Sequence, residues 1–423
     1  MEKVNDNKKL FLRLLFAFLI SRAIFVVIYF ITRAFMGTGD SFEAMFGRWD
    51  ALRYMNITDY GYSLPVVPDD PQNNWAFFPL YPLVCMGLKF ITFGLIPTFY
   101  VGMIVANVCI FAAAFLAIKT IRLIGLTKNE REFYERPNPE GSKTINFFNG
   151  IFKDGMLLGW FLFMGPFTMY MGTMYTESMY IFFIVLSFYL MKKKQFLLAG
   201  FLIIGAGLTR NMGVLLVVPL LIEMYLDWRH TTGRKNVFRF LGHIFATPVK
   251  LLAVLVTPIG TFSYMLFLYF FCGDAFAFKN VQIAWRTEEH FPIVGVLLDA
   301  ISIGSDVYHT LLGWICIGAI AVFIYMLVRR LYSEAVFGGL TLAVPLTSAV
   351  MSTPRFISGD YVVWIGAYDI IARQNHAARV ATCIILAGIE VVLTFMWMSG
   401  NVGMIYRLKK RVTLVILFFI AFL

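Results

Sequence analysis

Charged residues are scarce in this sequence. Only 14% of its 423 residues are Asp, Glu, Lys or Arg, whereas 59% are hydrophobic and the mean hydropathy is +0.74. A water-soluble domain needs more charge than this to cover its surface. Repeated apolar runs of about 20 residues, the length that spans a bilayer, therefore predict an all-α polytopic membrane protein. We expect roughly 11–12 transmembrane helices in a single domain over residues 1–423.

Cysteine pairs and metal-ligand spacings are also missing. No C-x-x-C pair occurs, which argues against a zinc site and a disulfide framework. His290 and His309 have no ligand spacing either, so we expect no metal site, and nothing in the sequence indicates a cofactor. The five cysteines are interpreted as small apolar packing residues. They are Cys85, Cys109, Cys272, Cys316 and Cys383.

Acidic residues are fewer than basic ones, and the formal net charge is +11. In membrane proteins Lys and Arg gather in cytoplasmic loops, so this excess does not indicate nucleic acid as a partner. A basic start followed by an apolar run predicts an uncleaved first span, Leu10–Phe35, with the N-terminus in the cytoplasm. The basic segment 122–154 is interpreted as a cytoplasmic loop. Residues 37–97 and 273–307 are expected to form extracytoplasmic loops, the first with a surface helix over Glu43–Asp59.

Phe77–Phe93 is either a full span or a re-entrant outer helix. If it crossed the membrane, the basic segment 122–154 would lie outside, so the charge rule favours the re-entrant interpretation. Later spans are predicted to include Gly155–Tyr170 and Leu251–Phe271 as continuous apolar stretches. No internal repeat is visible, which weighs against transporters built from duplicated halves.

A long polar interval follows the first span. It opens with Gly47-Arg48-Trp49-Asp50-Ala51, which places an aspartate between Arg48 and Arg53 and beside a tryptophan. On the predicted topology, further polar residues fall on the same outward side. Polar groups at membrane depth are costly unless they line a cavity or pair with one another, so these residues predict one outward-facing polar site. They are Tyr175, Thr176, Glu177, Thr209, Arg210, Asn211, Gly273, Asp274, Gln282, Trp285, Arg286, Pro354 and Arg355.

Such a site suits a sugar linked to a lipid phosphate. Arginines grip phosphate oxygens bidentately, and a carboxylate can serve as the base for an acceptor hydroxyl. We therefore predict Asp50 as the general base and Arg210, Arg286 and Arg355 as ligands of the donor phosphate. The predicted substrate-binding residues are Arg48, Trp49, Arg53, Tyr81, Tyr175, Glu177, Asn211, Asp274, Gln282 and Trp285.

At these residues the sequence resembles the GPI mannosyltransferase 2 (PIG-V) family, a member of the GT-C superfamily of multispanning transferases. The matching segments occur in the family's order and extend over most of the chain. They are Arg48-Trp49-Asp50-Ala51, Gly61-Tyr62, Ala76-Phe77-Phe78-Pro79-Leu80-Tyr81-Pro82, Tyr175-Thr176-Glu177-Ser178, Thr209-Arg210-Asn211-x-Gly213, Gly273-Asp274-x-Phe276-Ala277-Phe278 and Pro354-Arg355-Phe356.

The resemblance implies a GT-C-type fold and transfer of mannose from dolichyl- or polyprenyl-phosphate mannose on the non-cytoplasmic face. It implies inversion at the anomeric carbon, with Asp50 as the base. The family's own activity is addition of the second, α-1,6-linked mannose in GPI anchor synthesis. The family usually has His three residues after this Asp, where the present chain has Arg53, and this departure puts the acceptor in doubt more than the chemistry.

The complete Phe-Phe-Pro-Leu-Tyr-Pro run is similar to bacterial members, for which the acceptor would be another glycolipid or glycan. The implied partners are membrane lipid, the lipid-phosphate sugar donor, the acceptor and an accessory membrane subunit. The implied location is the plasma membrane of a bacterium or the endoplasmic reticulum of a eukaryote.

Plainer interpretations of the same residues stay open at the level of sequence. Asp50 would then only pair with a neighbouring arginine, Arg210 and Arg355 would anchor helix ends at the interface, and Asp274 would stabilise a turn. Arg22, inside the first span, either snorkels to the cytoplasmic face or forms a buried ion pair. Two other functions compete with the transferase: a flippase or transporter for a lipid-linked sugar, and a non-catalytic lipid-binding subunit.

Overall fold

The computed structural model of the chain describes residues 2–63, 73–128, 151–282, 293–302, 307–347, 350 and 352–400. These residues are helical with connecting turns, and no strand occurs among them. The helices of the N-terminal part are α1 (Glu2–Met36), α2 (Phe42–Phe46), α3 (Asp50–Tyr60), α4 (Leu80–Ile91), α5 (Thr98–Leu123), α6 (Met156–Met164), α7 (Met169–Gly172), α8 (Glu177–Lys192) and α9 (Phe196–Thr209).

The C-terminal part continues in the same way. Short 3₁₀ segments lie at Asn74–Ala76, Asn211–Leu216 and Pro345–Thr347. The remaining helices are α10 (Val217–Thr232), α11 (Val237–Ala246), α12 (Pro248–Leu255), α13 (Ile259–Cys272), α14 (Ala277–Asn280), α15 (Val294–Ile301), α16 (Val307–Val328), α17 (Tyr332–Ala343), α18 (Thr353–Ser358), α19 (Tyr361–Ile371) and α20 (His376–Ser399).

The protein is all-α and has the apolar helices of an integral membrane protein. Within the described residues, five helices are long and apolar enough to cross a bilayer, or six if the bent pair α11 and α12 forms one span. Four shorter apolar helices accompany them, at Leu80–Ile91, Phe196–Thr209, Ile259–Cys272 and Tyr361–Ile371. The 11–12 spans expected from hydropathy therefore exceed the number of helices that meet both criteria, because several apolar stretches are interrupted.

Three elements that the sequence predicts to be continuous helices are interrupted in the structure. The surface helix expected over Glu43–Asp59 is two helices, α2 and α3, separated by Gly47, Arg48 and Trp49. Gly155–Tyr170 divides into α6 and the start of α7, and Leu251–Phe271 divides between α12 and α13 just before Pro258. Proline lacks the amide hydrogen that a helix interior needs, so the helix ends before Pro258. A hydropathy average does not show this break, because the residues on both sides are apolar.

A continuous apolar core joins the helices. Its centre is the packing of α5 against α8, with residues such as Ile118, Ile184 and Phe188 completely buried. Outward from this core, many large apolar side chains are exposed on α1 and α13, among them Phe16 and Phe270. An apolar surface of this extent is expected where lipid rather than water covers the protein.

The aromatic run that closes the first loop fastens the loop onto α13. The Phe78 ring packs against Tyr264 with 4.6 Å between centroids. The Tyr264 hydroxyl donates to the carbonyl of Trp75 at 2.7 Å, and the Tyr62 hydroxyl donates to the carbonyl of Phe77 at 2.6 Å. These contacts hold the end of the loop close to α3, on which the predicted reactive carboxylate lies.

Candidate active site

Four charged side chains from distant parts of the chain meet in one cluster. The Arg355 guanidinium donates through Nη1 to Asp50 Oδ2 and through Nε to Glu177 Oε1, the latter at 2.7 Å. Arg210 Nη1 lies 3.2 Å from the same Glu177 oxygen. We call Asp50, Glu177, Arg210 and Arg355 the carboxylate–arginine cluster. Two carboxylates face two guanidinium groups, so the formal charges of the cluster sum to zero.

Asp50 reaches the cluster because it is the first residue of α3. A carboxylate is favourable there, since the free amide groups of a helix N-terminus carry partial positive charge. The Asp50 amide donates to the Tyr175 hydroxyl at 3.2 Å, and that hydroxyl donates to the Arg48 carbonyl at 3.1 Å. Tyr175 therefore fixes the start of α3 against the segment that leads into α8.

The other three cluster residues also lie at helix ends. Glu177 is the first residue of α8, Arg210 directly follows the end of α9, and Arg355 lies in the short helix α18. Gly359, directly after α18, lies close to both Arg355 and Glu177. A Cβ at Gly359 would lie 2.6 Å from the Arg355 carbonyl and 3.4 Å from Glu177 Cγ, so a larger residue would crowd the cluster.

Aromatic rings form the walls around the guanidinium groups. Arg355 lies over the rings of Tyr175 and Tyr170, at 4.8 Å and 5.6 Å from their centroids. Arg210 lies 5.1 Å from the centroid of Phe356. Such cation–π contacts stabilise a guanidinium where water is scarce. They also keep the planar forks of both arginines in a defined orientation.

Exposure decreases from Asp50 to Glu177. The Asp50 side chain is 29% exposed and that of Arg355 is 19% exposed, whereas Arg210 is 13% exposed and Glu177 is completely buried. Asp50 therefore lies at the mouth of the cluster and Glu177 at its floor. A substrate that approaches from outside would meet the Asp50 carboxylate first, with the guanidinium groups behind it.

Burial and charge act against each other at Arg355. Burial disfavours its charged form, but the carboxylates of Asp50 and Glu177 outweigh burial and raise the pKa of Arg355 well above its ordinary value. Tyr54 lies one helical turn after Asp50, and burial together with the Asp50 charge raises the pKa of its phenol. Arg355 is therefore a permanent cation and Tyr54 a neutral hydrogen-bonding group.

Trp49 forms the wall of a neighbouring polar pocket. Its backbone has φ 51°, a conformation that costs a bulky residue about 1–3 kcal/mol, and its side chain is 45% exposed. The ring packs edge-on against Trp397, with 4.3 Å between centroids. Glu43 and Arg48 line the same pocket, whose volume is about 530 Å³. An exposed indole beside polar groups is a suitable surface for a sugar ring.

Some residues predicted to bind substrate have other roles. Tyr81 is completely buried and donates to the Gly102 carbonyl at 2.8 Å, so it packs beneath Tyr54 rather than lining the cluster. Asp274 accepts from the amide of Phe276 at 2.8 Å and from the Asn280 side chain at 2.7 Å, so it stabilises the turn that leads into α14. Substrate contact by Tyr81 and Asp274 stays a prediction that these contacts do not support.

The remaining predicted residues are not members of the carboxylate–arginine cluster. Arg48 donates to the carbonyls of Met45 and Met398, at 3.0 Å and 2.8 Å, and so links the first loop to the end of α20. Gln282 donates to the Phe278 carbonyl at 3.0 Å, next to α14. Asn211 begins the 3₁₀ segment directly after Arg210, and Arg53 is half-buried on α3. Trp285 and Arg286 lie outside the described residues.

Three residues of the site were not predicted from the sequence. Tyr54 contacts the Thr176 hydroxyl at 3.2 Å, Tyr170 lies against Arg355, and Trp397 supports Trp49. Tyr170 ends the predicted span Gly155–Tyr170, and Trp397 lies on the long apolar helix α20. Their composition resembles that of a lipid-facing helix, so only the tertiary packing identifies them.

Comparison with known proteins leaves the family open. No model of a known protein family matches the sequence, and no curated protein matches it either. Among the described residues, no group of three or more His, Cys, Asp or Glu side chains is arranged to hold a metal ion. The chemistry of the carboxylate–arginine cluster is therefore the basis for assigning a function.

Proposed function

We propose that the protein is a membrane glycosyltransferase that transfers a hexosyl residue, in the first instance mannose, from a polyprenyl- or dolichyl-phosphate sugar to a hydroxyl of a glycolipid or glycan. The observation that carries this proposal is the direct pairing of Asp50 with Arg355 at the mouth of the carboxylate–arginine cluster. The cluster combines a partly exposed base with two guanidinium groups next to it.

The reaction needs only groups that the cluster contains. The Asp50 carboxylate accepts the proton of the acceptor hydroxyl, and the acceptor oxygen forms a bond to the anomeric carbon of the sugar. The bond between that carbon and the phosphate oxygen breaks, and the lipid phosphate leaves with the electron pair. Attack opposite the leaving group inverts the anomeric centre. The proton finally passes from Asp50 to water.

The two arginines are assigned to the donor phosphate. Arg355 has five N–H donors, and the contacts with Asp50 and Glu177 use only two of them. The donors that remain can reach phosphate oxygens, which guanidinium groups bind bidentately. When phosphate binds, the contact between Arg355 and Asp50 loosens and the carboxylate becomes available as a base.

Glu177 is assigned a positioning role. Its Oε1 atom accepts from Arg355 and pairs with Arg210, so one buried carboxylate holds both guanidinium groups side by side. A positioned pair loses less conformational freedom when it binds phosphate than two flexible side chains would. The segments that resemble the PIG-V family of GT-C transferases include all four cluster residues, which further supports the proposal.

Transfer of labelled mannose by the purified protein tests the proposal directly. The donor is a polyprenyl-phosphate mannose, and the acceptor is a membrane glycolipid fraction. We expect Asp50→Asn to lose transfer by about three orders of magnitude while donor binding persists, because the amide cannot accept the proton. Asp40→Asn, the same change at an exposed position of the same loop, is the matched control and should retain full activity.

A flippase for the same donor would give a different result. It would move the lipid-linked sugar across vesicles without forming a new glycosidic bond, and it would not require a base at position 50. Normal transfer by Asp50→Asn would refute the assignment of Asp50. Translocation without transfer by the wild-type protein would replace the transferase proposal with the flippase.

A further inference from the structure

A second polar site lies in an apolar groove between α1, α2 and α5. The groove has a volume of about 550 Å³, and rings such as Phe18, Phe25 and Phe46 dominate its lining. None of its lining residues belongs to the carboxylate–arginine cluster. Leu19, Val26 and Phe30 on its α1 side are exposed, so the groove borders the surface that faces lipid.

Arg22 places a guanidinium group in this groove. Its Nε, Nη1 and Nη2 atoms are all buried and have neither a hydrogen-bond acceptor nor an ion-pair partner in the described part of the chain. The rings of Phe18 and Phe25 stabilise it through cation–π contacts, with the guanidinium carbon 4.8 Å and 5.0 Å from their centroids. Among the described residues, Arg22 thus has a buried guanidinium group and no ion-pair partner within 4.0 Å. Burying five unused N–H donors at membrane depth is costly, which marks the residue as a site for a ligand.

Asn107 provides a complementary acceptor beside Arg22. Its amide nitrogen donates to the carbonyls of Met103 and Gly172, at 2.8 Å and 3.2 Å, so the orientation of the amide is fixed. The Asn107 Oδ1 atom is buried and accepts no hydrogen bond from any described residue. Arg22 lies next to Asn107, because both side chains approach Gly172. A Cβ added at Gly172 would be 3.2 Å from Arg22 Nη1.

Among the described residues, Glu390 on α20 also interacts electrostatically with Arg22. Its two oxygens accept from the Thr168 amide and the Thr394 hydroxyl, both at 3.2 Å, and no ion pair joins it to Arg22. Glu390 therefore leaves the guanidinium donors of Arg22 unused. The wall of the groove therefore contains a set of strong donors and one acceptor, all buried, that no described residue uses.

We propose that this groove binds a membrane lipid with a phosphate monoester headgroup. The phosphate oxygens accept from the Arg22 guanidinium, and the remaining P–OH donates to Asn107 Oδ1. The hydrocarbon chain lies along the exposed side of α1 at Leu19, Val26 and Phe30. A choline phosphodiester fits less well, because it has no P–OH for Asn107 and brings a second cation close to Arg22.

Lipid binding to the purified, delipidated protein tests this site. The probes are phosphatidic acid, phosphatidylcholine with the same chains, and inorganic phosphate, and the readouts are bound lipid by native mass spectrometry and the melting temperature. We expect phosphatidic acid to bind at least about tenfold more tightly than phosphatidylcholine, a difference of about 1.4 kcal/mol. Inorganic phosphate should give no stabilisation, because it lacks the chain.

Variants assign the binding to the named atoms. We expect Arg22→Gln to lose the preference for phosphatidic acid, and Asn107→Leu to weaken it. Arg33→Gln, which removes an exposed guanidinium from the same helix, should retain it. Equal binding of the two lipids by the wild type, stabilisation by inorganic phosphate alone, or an unchanged preference in both groove variants would overturn the proposal. If a variant does not fold, equal binding of the two lipids by the wild type still overturns the proposal.

Discussion

Arg355 contributes more than any other single residue to the geometry of the carboxylate–arginine cluster. Its guanidinium contacts Asp50 and Glu177 at once and packs over Tyr170 and Tyr175. The planar guanidinium group of arginine has enough N–H donors to make these contacts at once, whereas the single ammonium group of lysine cannot. The residue therefore carries both the shape and the charge of the proposed phosphate site.

Replacing Arg355 by lysine tests whether shape matters in addition to charge. We expect Arg355→Lys to reduce kcat/KM for mannose transfer at least tenfold, or about 1.4 kcal/mol, because one ammonium group cannot serve both carboxylates and a phosphate. Arg33→Lys, at an exposed position of α1, is the control and should be neutral. Full activity of Arg355→Lys would contradict the bidentate assignment.

Glu177 makes a second prediction at this scale. Glu177→Gln removes the buried carboxylate that pairs with both Arg210 and Arg355, so Asp50 alone faces two guanidinium groups and the cost is about 3–5 kcal/mol. We expect a lower melting temperature in detergent and a higher KM for the donor. A phosphate-containing donor should restore part of the lost stability by replacing the missing charge. If the variant melts and turns over like the wild type, Glu177 does not position the arginines.

At the scale of helices, α9 is positioned by glycines that allow close backbone contact. A Cβ at Gly200 would lie 2.3 Å from the Ala253 carbonyl on α12, and one at Gly260 of α13 would lie 2.1 Å from the Ile204 carbonyl on α9. Small residues at helix contacts are typical of membrane proteins, where packing rather than hydrophobicity drives association. Because Arg210 directly follows α9, this packing also sets the position of one cluster arginine.

Adding one methyl group at this contact should separate the helices. We expect Gly260→Ala to destabilise the protein by about 1–3 kcal/mol, because the clash is with backbone that cannot rotate away. Gly242→Ala on α11 is the matched control, since nothing lies within 4 Å of its Cβ, and it should stabilise by up to about 1 kcal/mol. Thermal unfolding in one detergent compares the two. Equal effects would mean that the α9–α13 contact is not close.

At the scale of the whole molecule, α8 connects two buried polar clusters. Glu177 begins the helix at the carboxylate–arginine cluster, and Lys192 ends it among Glu223, Ser333 and Glu334. Lys192 Nζ lies 2.7 Å from Glu223 and 2.8 Å from Glu334. The second cluster joins α8, α10 and α17 at the opposite end of the helix from the proposed active site.

Removing the cation of this second cluster should unfold the protein readily. We expect Lys192→Met to cost about 3–5 kcal/mol, because it leaves two carboxylates buried side by side. Combining it with Glu334→Gln should recover part of that loss. Lys194→Met removes a mostly exposed partner of Asp227 and should cost less than about 1 kcal/mol. A Lys192→Met protein as stable as the control would show that the cluster does not hold these helices together.

The membrane class and the first polar loop can be predicted from sequence because they depend on local composition. Scarce charge and long apolar runs predict a helical membrane protein, because a transmembrane helix makes all its backbone hydrogen bonds within itself. The polar residues Asp50, Glu177, Arg210 and Arg355 stand out against that background, so their candidacy is visible in the sequence. Sidedness, the transferase activity and the resemblance to the PIG-V family stay predictions.

Tertiary structure alone decided which of these residues meet and which do not. It pairs Asp50 with Arg355, which lies about 300 residues away, and it places Tyr81 in a packing contact and Asp274 in a turn. It also breaks helices at Trp49 and before Pro258, and it leaves Arg22 without a partner in the part of the chain that it describes. The physical reason is that composition is set residue by residue, whereas a contact between helix ends depends on how every intervening helix packs.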